Sequence, residues 1–110
     1  MLLAVPPVDE LDLVAPVEVF GTANRLLRPG KPVYTVEIAT NSGSREIAGE
    51  CGLSLLAEKH YRDVEPGADS LLVICGVRAR HTRDVAMLGW LGAEAKSVRR
   101  LGAEIGRAHV

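Results

Sequence analysis

Residues 6–27 read PPVDELDLVAPVEVFGTANRLL, and the rest of the chain is organised around this stretch. It follows an apolar run, residues 1–5, that is typical of a buried β-strand. Asp9 and Asp12 lie where acidic side chains favour the start of a helix. Apolar residues then recur close to the helical period, at Leu11, Val14, Ala15, Val17, Phe20, Ala23 and Leu27. The sequence therefore predicts strand, turn and helix, with the turn at the strand's carboxyl end, where open α/β sheets bind ligands.

The middle of the chain predicts more strands than helices. Residues 33–39 are rich in β-forming side chains and predict a second strand. Residues 46–56, around Gly49 and Gly52, predict short strands in a hairpin-like excursion. Residues 70–75 lack polar alternation, which favours a strand covered on both faces, and Gly76 ends it.

The last third of the chain predicts one helix. Residues 84–97 have the helical period, with a packing stripe expected at Val85, Leu88, Leu91 and Ala95. Residues 98–103 are basic and apolar. A polar connection, residues 61–69, separates the excursion from the strand at 70–75. The pattern is that of one α/β domain.

Composition narrows the function classes. The chain has 110 residues, with 13 basic against 14 acidic side chains and a net charge of −1, so no global field attracts nucleic acid or a membrane surface. Basic residues are more frequent in the last third of the chain: Arg78, Arg80, Arg83, Lys96, Arg99, Arg100 and Arg107. We interpret them, together with His81, as part of a solvated loop and a solvated helix face.

Cysteine and histidine usage indicates neither a metal nor a cofactor. Cys51 and Cys75 lack metal-ligand spacing, and the histidines His60, His81 and His109 are scattered. No signal peptide precedes the first strand, and no apolar run is long enough to cross a bilayer. We therefore expect a cytoplasmic protein with reduced thiols and no membrane partner.

Residues 12–24, DLVAPVEVFGTAN, resemble a known signature. It is the Asp-Leu-x-Gly-Pro-x-Glu-Val-Phe-x-x-Ala-Asn motif of the ThiJ/PfpI superfamily, the class I glutamine amidotransferase-like domains. Ala15 stands where the family usually has glycine. The FGTAN ending is similar to one branch, the amino-terminal sensor domain of AraC-type transcriptional regulators. Residues 71–76, LLVICG, resemble the strand before the family's Gly-Gly loop, so the resemblance spans residues 1–103.

The resemblance implies both a fold and a function. The fold would be an α/β flavodoxin-like three-layer sandwich with a mostly parallel sheet, incomplete at the carboxyl end. The function would be sensing of a small nitrogenous ligand by an AraC-type regulator whose DNA-binding domain is missing here. Such a parent would form a homo-oligomer, and this part of it would contact no nucleic acid. The alternatives are a fragment of a cysteine hydrolase, amidase or isonitrile hydratase-like enzyme, and a fragment without activity.

The family's nucleophile is absent from this chain. Enzymes of the superfamily carry a cysteine on a sharp strand-to-helix turn, Val-Cys-Thr-Gly-Ala-Phe in the AraC-type branch, whereas residues 99–110 read RRLGAEIGRAHV. We therefore expect no catalytic residue and no cysteine-dependent hydrolase activity of this chain. A nucleophilic mechanism would need an activated thiolate and oxyanion donors, and only part of the donor set could be present, as the backbone amides around Gly76.

Three residues remain as candidate ligand contacts: Asp12, Cys75 and Gly76. Asp12 matches the acid that lies beside the thiol in the resembling family, but it is equally well explained as a helix-start acid. Cys75 and Gly76 end a strand at the ligand-binding edge of the sheet. A cysteine in an apolar run is more often a small core residue, and Cys75 does not lie in the family's nucleophile motif.

One possible coding sequence for residues 104–110, EIGRAHV, matches a sequencing adapter. They can be written GAG ATC GGA AGA GCA CAC GTC, and all but the first base matches a common short-read sequencing adapter. We therefore predict that native sequence ends near Ala103 and that residues 104–110 are a non-native tail. The alternative is a divergent native tail. An authentic genomic continuation through these codons in the source DNA would overturn the prediction.

Overall fold

The computed structural model describes residues 1–76 and 84–105. Loop residues 77–83, which include Arg78, Arg80, His81 and Arg83, lie outside the described residues, as do residues 106–110 of the predicted tail. The elements are β1 (Leu2–Val5), α1 (Glu10–Leu27), β2 (Ile38–Thr40), β3 (Glu46–Ala48), β4 (Ser54–Leu56), β5 (Lys59–His60), a 3-10 turn (Tyr61–Asp63), β6 (Ser70–Cys75), α2 (Val85–Ala95) and β7 (Arg100–Ile105).

Five strands form one sheet in the order β5-β2-β1-β6-β7. All of its pairings are parallel, and the longest joins β6 to β7 from Ser70 opposite Arg100 to Cys75 opposite Ile105. β3 and β4 form a separate antiparallel hairpin. The predicted α/β class with a parallel sheet is confirmed, and the arrangement is compatible with a flavodoxin-like sandwich.

The sheet is covered on both faces, because alternate residues of its central strands point to opposite sides. One cluster joins the sheet to α1 and the hairpin: Leu2, Ala4, Val8, Leu13, Ile47, Ala57 and Ile74. The other joins it to the 3-10 turn and α2: Leu3, Val5, Ala39, Tyr61, Leu71, Cys75 and Met87. The molecule therefore has three layers, and β6 contributes to both cores, as its lack of polar alternation predicted.

The second strand is shorter than the sequence predicts. The predicted strand at 33–39 is wrong over residues 33–37, since β2 begins at Ile38. The reason is the side chain of Asn24, whose Oδ1 accepts hydrogen bonds from the amides of Val33 and Tyr34 at 2.8 and 2.7 Å. Its Nδ2 donates to the Tyr34 carbonyl at 2.9 Å. These backbone groups therefore bind α1 instead of a neighbouring strand.

The two helices also pack differently from their apolar stripes. On α1 only Glu10 and Leu13 are buried, whereas Leu11, Val14 and Val17 are exposed. On α2 the buried residue is Met87, supported by Trp90 and Leu91, while Val85 and Leu88 face outward. The predicted helices are confirmed, and the packing stripe predicted for α2 is wrong in part. No helix among the described residues is both long and apolar enough to traverse a bilayer.

β7 crosses the predicted junction after Ala103. It continues through Glu104, opposite Ile74, to Ile105, opposite Cys75. Its start is fixed to β6 because the Asp69 carbonyl accepts hydrogen bonds from the amides of Arg99 and Arg100. The non-native origin of residues 104–110 stays a prediction.

Replacing Asn24 with alanine is expected to destabilise the fold by about 1–3 kcal/mol, because the loop after α1 loses three hydrogen bonds that are partly replaced by water. Asn24→Asp should cost less, since a carboxylate still accepts from the amides of Val33 and Tyr34. Urea unfolding followed by circular dichroism measures both. Equal stability of Asn24→Ala and the parent would show that these contacts do not hold the loop.

Candidate functional site

The candidate site lies at the carboxyl ends of β1 and β6, the two central strands. Val5 is opposite Cys75 in the parallel register. The segments that follow these two strands are also joined, because the Gly76 amide donates a hydrogen bond to the Pro7 carbonyl at 3.1 Å. The Pro6–Pro7 peptide bond in this turn is cis. The strand ends and the start of α1 therefore meet at one edge of the sheet.

Cys75 is buried at this edge, with 6% of its surface exposed. Its side chain packs in the cluster on the α2 side. Burial, and secondarily the negative charge of Asp12, raises the pKa of the Cys75 thiol above its ordinary value. Because the thiolate is the reactive form of cysteine, this environment disfavours nucleophilic chemistry.

Asp12 lies in the first turn of α1 and reaches the same region. Its Oδ2 atom is buried and has no hydrogen-bond partner among the described residues. A buried carboxylate oxygen without a partner costs free energy unless a donor approaches it. Asp12 is therefore the side chain at this edge with unused capacity to accept a hydrogen bond.

Gly76 is needed for a close backbone approach. A Cβ atom at this position would lie 2.6 Å from the Pro7 carbonyl oxygen and 3.2 Å from Oε1 of Glu50. The first distance is far below ordinary van der Waals contact, so any other residue would displace the turn. The same geometry places the Glu50 carboxylate beside the end of β6.

The hairpin carries Glu50 to the site. The Val8 amide donates to the Ala48 carbonyl at 3.0 Å, and the Glu50 amide donates to the Val8 carbonyl at 2.8 Å. Val8 and Gly49 form an isolated parallel bridge. The segment after β1 and the turn of the hairpin are thus joined as two short paired chains.

Glu10 fixes this hairpin turn from the other side. Its carboxylate accepts hydrogen bonds from the Cys51 amide, at 3.1 and 3.0 Å to its two oxygens, and from the Leu53 amide at 3.0 Å. Burial favours the neutral acid, yet the amide hydrogen bonds from Leu53 and Cys51 outweigh it and hold the pKa of Glu10 below its ordinary value. A Cβ at Gly49 would overlap the Glu10 carboxyl group. We call this arrangement the Glu10 clamp.

A second polar group lies at the carboxyl end of β2. Asn41 donates from Nδ2 to Oδ2 of Asp84 at 3.1 Å, and the other oxygen of Asp84 accepts from the Met87 amide at 3.0 Å. These two hydrogen bonds, the Met87 amide first, lower the pKa of Asp84, and the nearby charges of Arg62 and His60 add to the effect. Asp84 therefore caps α2 and ties it to the sheet edge.

The structure brings the three predicted contact residues to one place. Cys75 and Gly76 are consecutive, and the charge of Asp12 acts on the Cys75 thiol. Sequence reasoning missed Glu10 and Glu50. The sequence contains one signal for them, because the glycine pair Gly49 and Gly52 marks a tight turn. Nothing in the sequence indicated that this turn packs on the start of α1. A ligand role for any of these residues stays a prediction.

The chain shares its fold with two solved structures. An AraC family transcriptional regulator from Pseudomonas putida superposes with a TM-score of 0.66 and 19% sequence identity, over 93% of this chain and 62% of that one. A proposed transcriptional regulator from Vibrio parahaemolyticus superposes with a TM-score of 0.63 and 15% identity, over 92% of this chain and 54% of that one. This chain thus spans less than two thirds of either protein.

Comparisons by sequence give no match. No protein-family model matches the chain, and no curated protein matches it. The structural likeness therefore establishes the fold of the chain, which the two regulator structures share.

Proposed function

We propose that the chain is part of the small-molecule-sensing domain of an AraC-type transcriptional regulator, built on a ThiJ/PfpI-like fold. The observation that carries this proposal is the likeness to two regulator structures across more than nine tenths of the chain. The signature at residues 12–24 supports the same assignment. The DNA-binding part of the parent would lie outside this chain.

The site at the carboxyl edge supports binding more than catalysis. Asp12 offers a buried carboxylate oxygen to a donor group, and the Glu50 carboxylate lies beside Gly76. The raised pKa of Cys75 counts against an enzyme that uses this thiol. The enzyme alternative would need a nucleophile from residues that are not in this sequence.

A thermal-shift screen of the 110-residue chain against small nitrogenous metabolites tests ligand binding. We expect at least one to raise the Tm in a saturable way, and Asp12→Asn to abolish the rise while leaving the Tm of the free protein nearly unchanged, since binding to the folded state alone stabilises it. The matched control is Asp63→Asn, on the exposed 3-10 turn. A rise that survives Asp12→Asn would contradict binding at this edge.

The source gene distinguishes a regulator from an enzyme. An open reading frame that continues from codon 103 into two helix-turn-helix units would support the regulator. A frame that ends after one more helix pair, with a cysteine on the next strand-to-helix turn, would refute it in favour of the enzyme.

A further inference from the structure

The last turns of α1 and the loop that follows them carry positive charge and no acidic residue. Residues 19–36 contain Arg25, Arg28 and Lys31, whereas all fourteen acidic side chains of the chain lie outside this segment. The rest of the chain sets ten basic side chains against these fourteen acids, so it is net negative. The positive charge of residues 19–36 is therefore local, and the net charge of the whole chain conceals it.

These three cations are exposed, and within residues 1–76 and 84–105 none of them forms an ion pair. Arg25 donates from Nη2 to the Thr22 hydroxyl at 3.0 Å. The partial negative charge of the last carbonyls of a helix favours cations there, which accounts for Arg25 and Arg28. That effect does not reach Lys31, because α1 ends at Leu27. The cations therefore have charge that no described acid neutralises.

Large apolar side chains lie among these cations. Leu26 is 77% exposed, Leu27 60% and Val33 50%. Tyr34 is also exposed, and its ring centroid lies 5.0 Å from that of Phe20 on α1. Clustered exposed apolar side chains of this kind mark interaction sites. We call this surface the α1 end face: Arg25, Leu26, Leu27, Arg28, Lys31, Val33 and Tyr34.

The loop half of the α1 end face is held against the helix. Asn24 exchanges three hydrogen bonds with the backbone of Val33 and Tyr34, and the Lys31 amide donates to the Arg28 carbonyl at 2.9 Å. A surface that is already ordered loses little conformational entropy when a partner binds. The face is therefore preorganised for binding.

We propose that the α1 end face docks an acidic segment of another protein that also carries large apolar side chains. The acids of that segment pair with Arg25, Arg28 and Lys31, and its apolar side chains cover Leu27 and Val33. Opposite charges across an interface steer association and set specificity, while burial of the apolar side chains supplies affinity. The docking does not depend on ligand sensing at the carboxyl edge of the sheet.

Nucleic acid and membranes fit this face less well than an acidic protein segment does. Phosphate groups would pair with the three cations but would leave Leu26 and Leu27 uncovered. An anionic bilayer is a broad plane, so it would also meet the net negative remainder of the molecule. A protein segment contacts the α1 end face alone, and it can supply acidic and apolar side chains together.

Fluorescence anisotropy with a short labelled peptide, in which glutamate alternates with leucine and phenylalanine, tests this docking on the full 110-residue chain. We expect saturable binding that weakens as the salt concentration rises, because salt screens exposed charges. The double variant Arg28→Glu/Lys31→Glu should raise the peptide Kd by about 10-fold or more, since two attractions become repulsions. Leu27→Ser should also raise the Kd, because it removes apolar contact area.

The matched control is Lys96→Glu/Arg100→Glu, which changes the net charge by the same amount at two other exposed cations. This variant should keep the parent Kd, and a peptide with glutamine in place of glutamate should bind the parent much more weakly. Circular dichroism checks that every variant keeps the fold. If the charge-reversed variant unfolds, Arg28→Gln/Lys31→Gln replaces it and should raise the Kd by a smaller factor.

Three results would overturn the proposal: no saturable binding to the parent, equal binding of the glutamine peptide, or an equal loss of affinity in the control variant. A fourth result is binding of duplex DNA, or of vesicles of equal parts phosphatidylserine and phosphatidylcholine, that is tighter than peptide binding and is lost in Arg28→Glu/Lys31→Glu. The face would then bind a nucleic acid or a membrane instead of an acidic protein segment.

Discussion

Replacing Glu10 with glutamine is expected to lower the Tm at neutral pH by roughly 4–8 °C for each net hydrogen bond lost. The Glu10 carboxylate accepts from the amides of Cys51 and Leu53. A glutamine side chain has only one acceptor oxygen, and its NH2 group would face one of these donors. The matched control is Glu18→Gln, on the exposed part of the same helix. Differential scanning calorimetry measures both.

The pH dependence of this difference identifies the charge as the cause. The pKa of Glu10 is lowered in the folded protein. Its stabilisation is therefore fully present above the unfolded-state pKa and is lost as the pH falls through the folded-state pKa. The Tm gap between the parent and Glu10→Gln should be widest at neutral pH and close in acid. Asp69 and Asp84, whose pKa values are also lowered, cancel because both proteins carry them.

A glycine substitution tests the same clamp from the hairpin side. Gly49→Ala would place a methyl group on the Glu10 carboxyl group, whereas a Cβ at Gly43 meets no atom within 4 Å. Gly49→Ala should therefore destabilise the protein, and Gly43→Ala should not. If Glu10→Gln and Gly49→Ala both leave the Tm unchanged, the clamp does not hold the hairpin.

The two thiols are expected to differ in alkylation rate by ~100-fold or more, because a buried thiol reacts only when the structure opens. Cys51 is exposed and Cys75 is buried. Burial and then the charge of Asp12 raise the Cys75 pKa, which lowers its thiolate fraction further. Iodoacetamide labelling followed by mass spectrometry should give one fast site in the parent and none in Cys51→Ser.

Two comparisons sharpen the thiol experiment. Denaturant should make Cys75 as reactive as Cys51, which shows that the fold is the source of its protection. Asp12→Asn should speed labelling of Cys75 only slightly, since burial is the larger cause of the raised pKa. Fast labelling of Cys75 in native Cys51→Ser protein would contradict the buried site and revive a nucleophilic role for this residue.

The sequence alone predicted β1, α1, the hairpin, β6 and α2 in their order, but not β5 or the 3-10 turn. The apolar runs before the turns predicted β1 and β6, the helical period predicted α1 and α2, and the glycines around residue 50 predicted the hairpin. These features depend on residues within a few positions of one another, so the local sequence is sufficient to predict them. Asp12, Cys75 and Gly76 could be selected because strand ends and a family signature mark them.

Which surfaces are covered depends on contacts between distant parts of the chain. The apolar period of α1 predicted a helix but not its buried face, and the fold buries Glu10 and Leu13 while Leu11 and Val14 stay exposed. Glu10 can be buried because its carboxylate meets amides of the hairpin turn more than 40 positions away in the chain, at Cys51 and Leu53. Glu50 lies beside Gly76 because the hairpin turn pairs with Val8, another contact between distant parts of the chain. The burial of a side chain depends on which residues pack against it in space. The residues next to it in the sequence do not indicate which these will be.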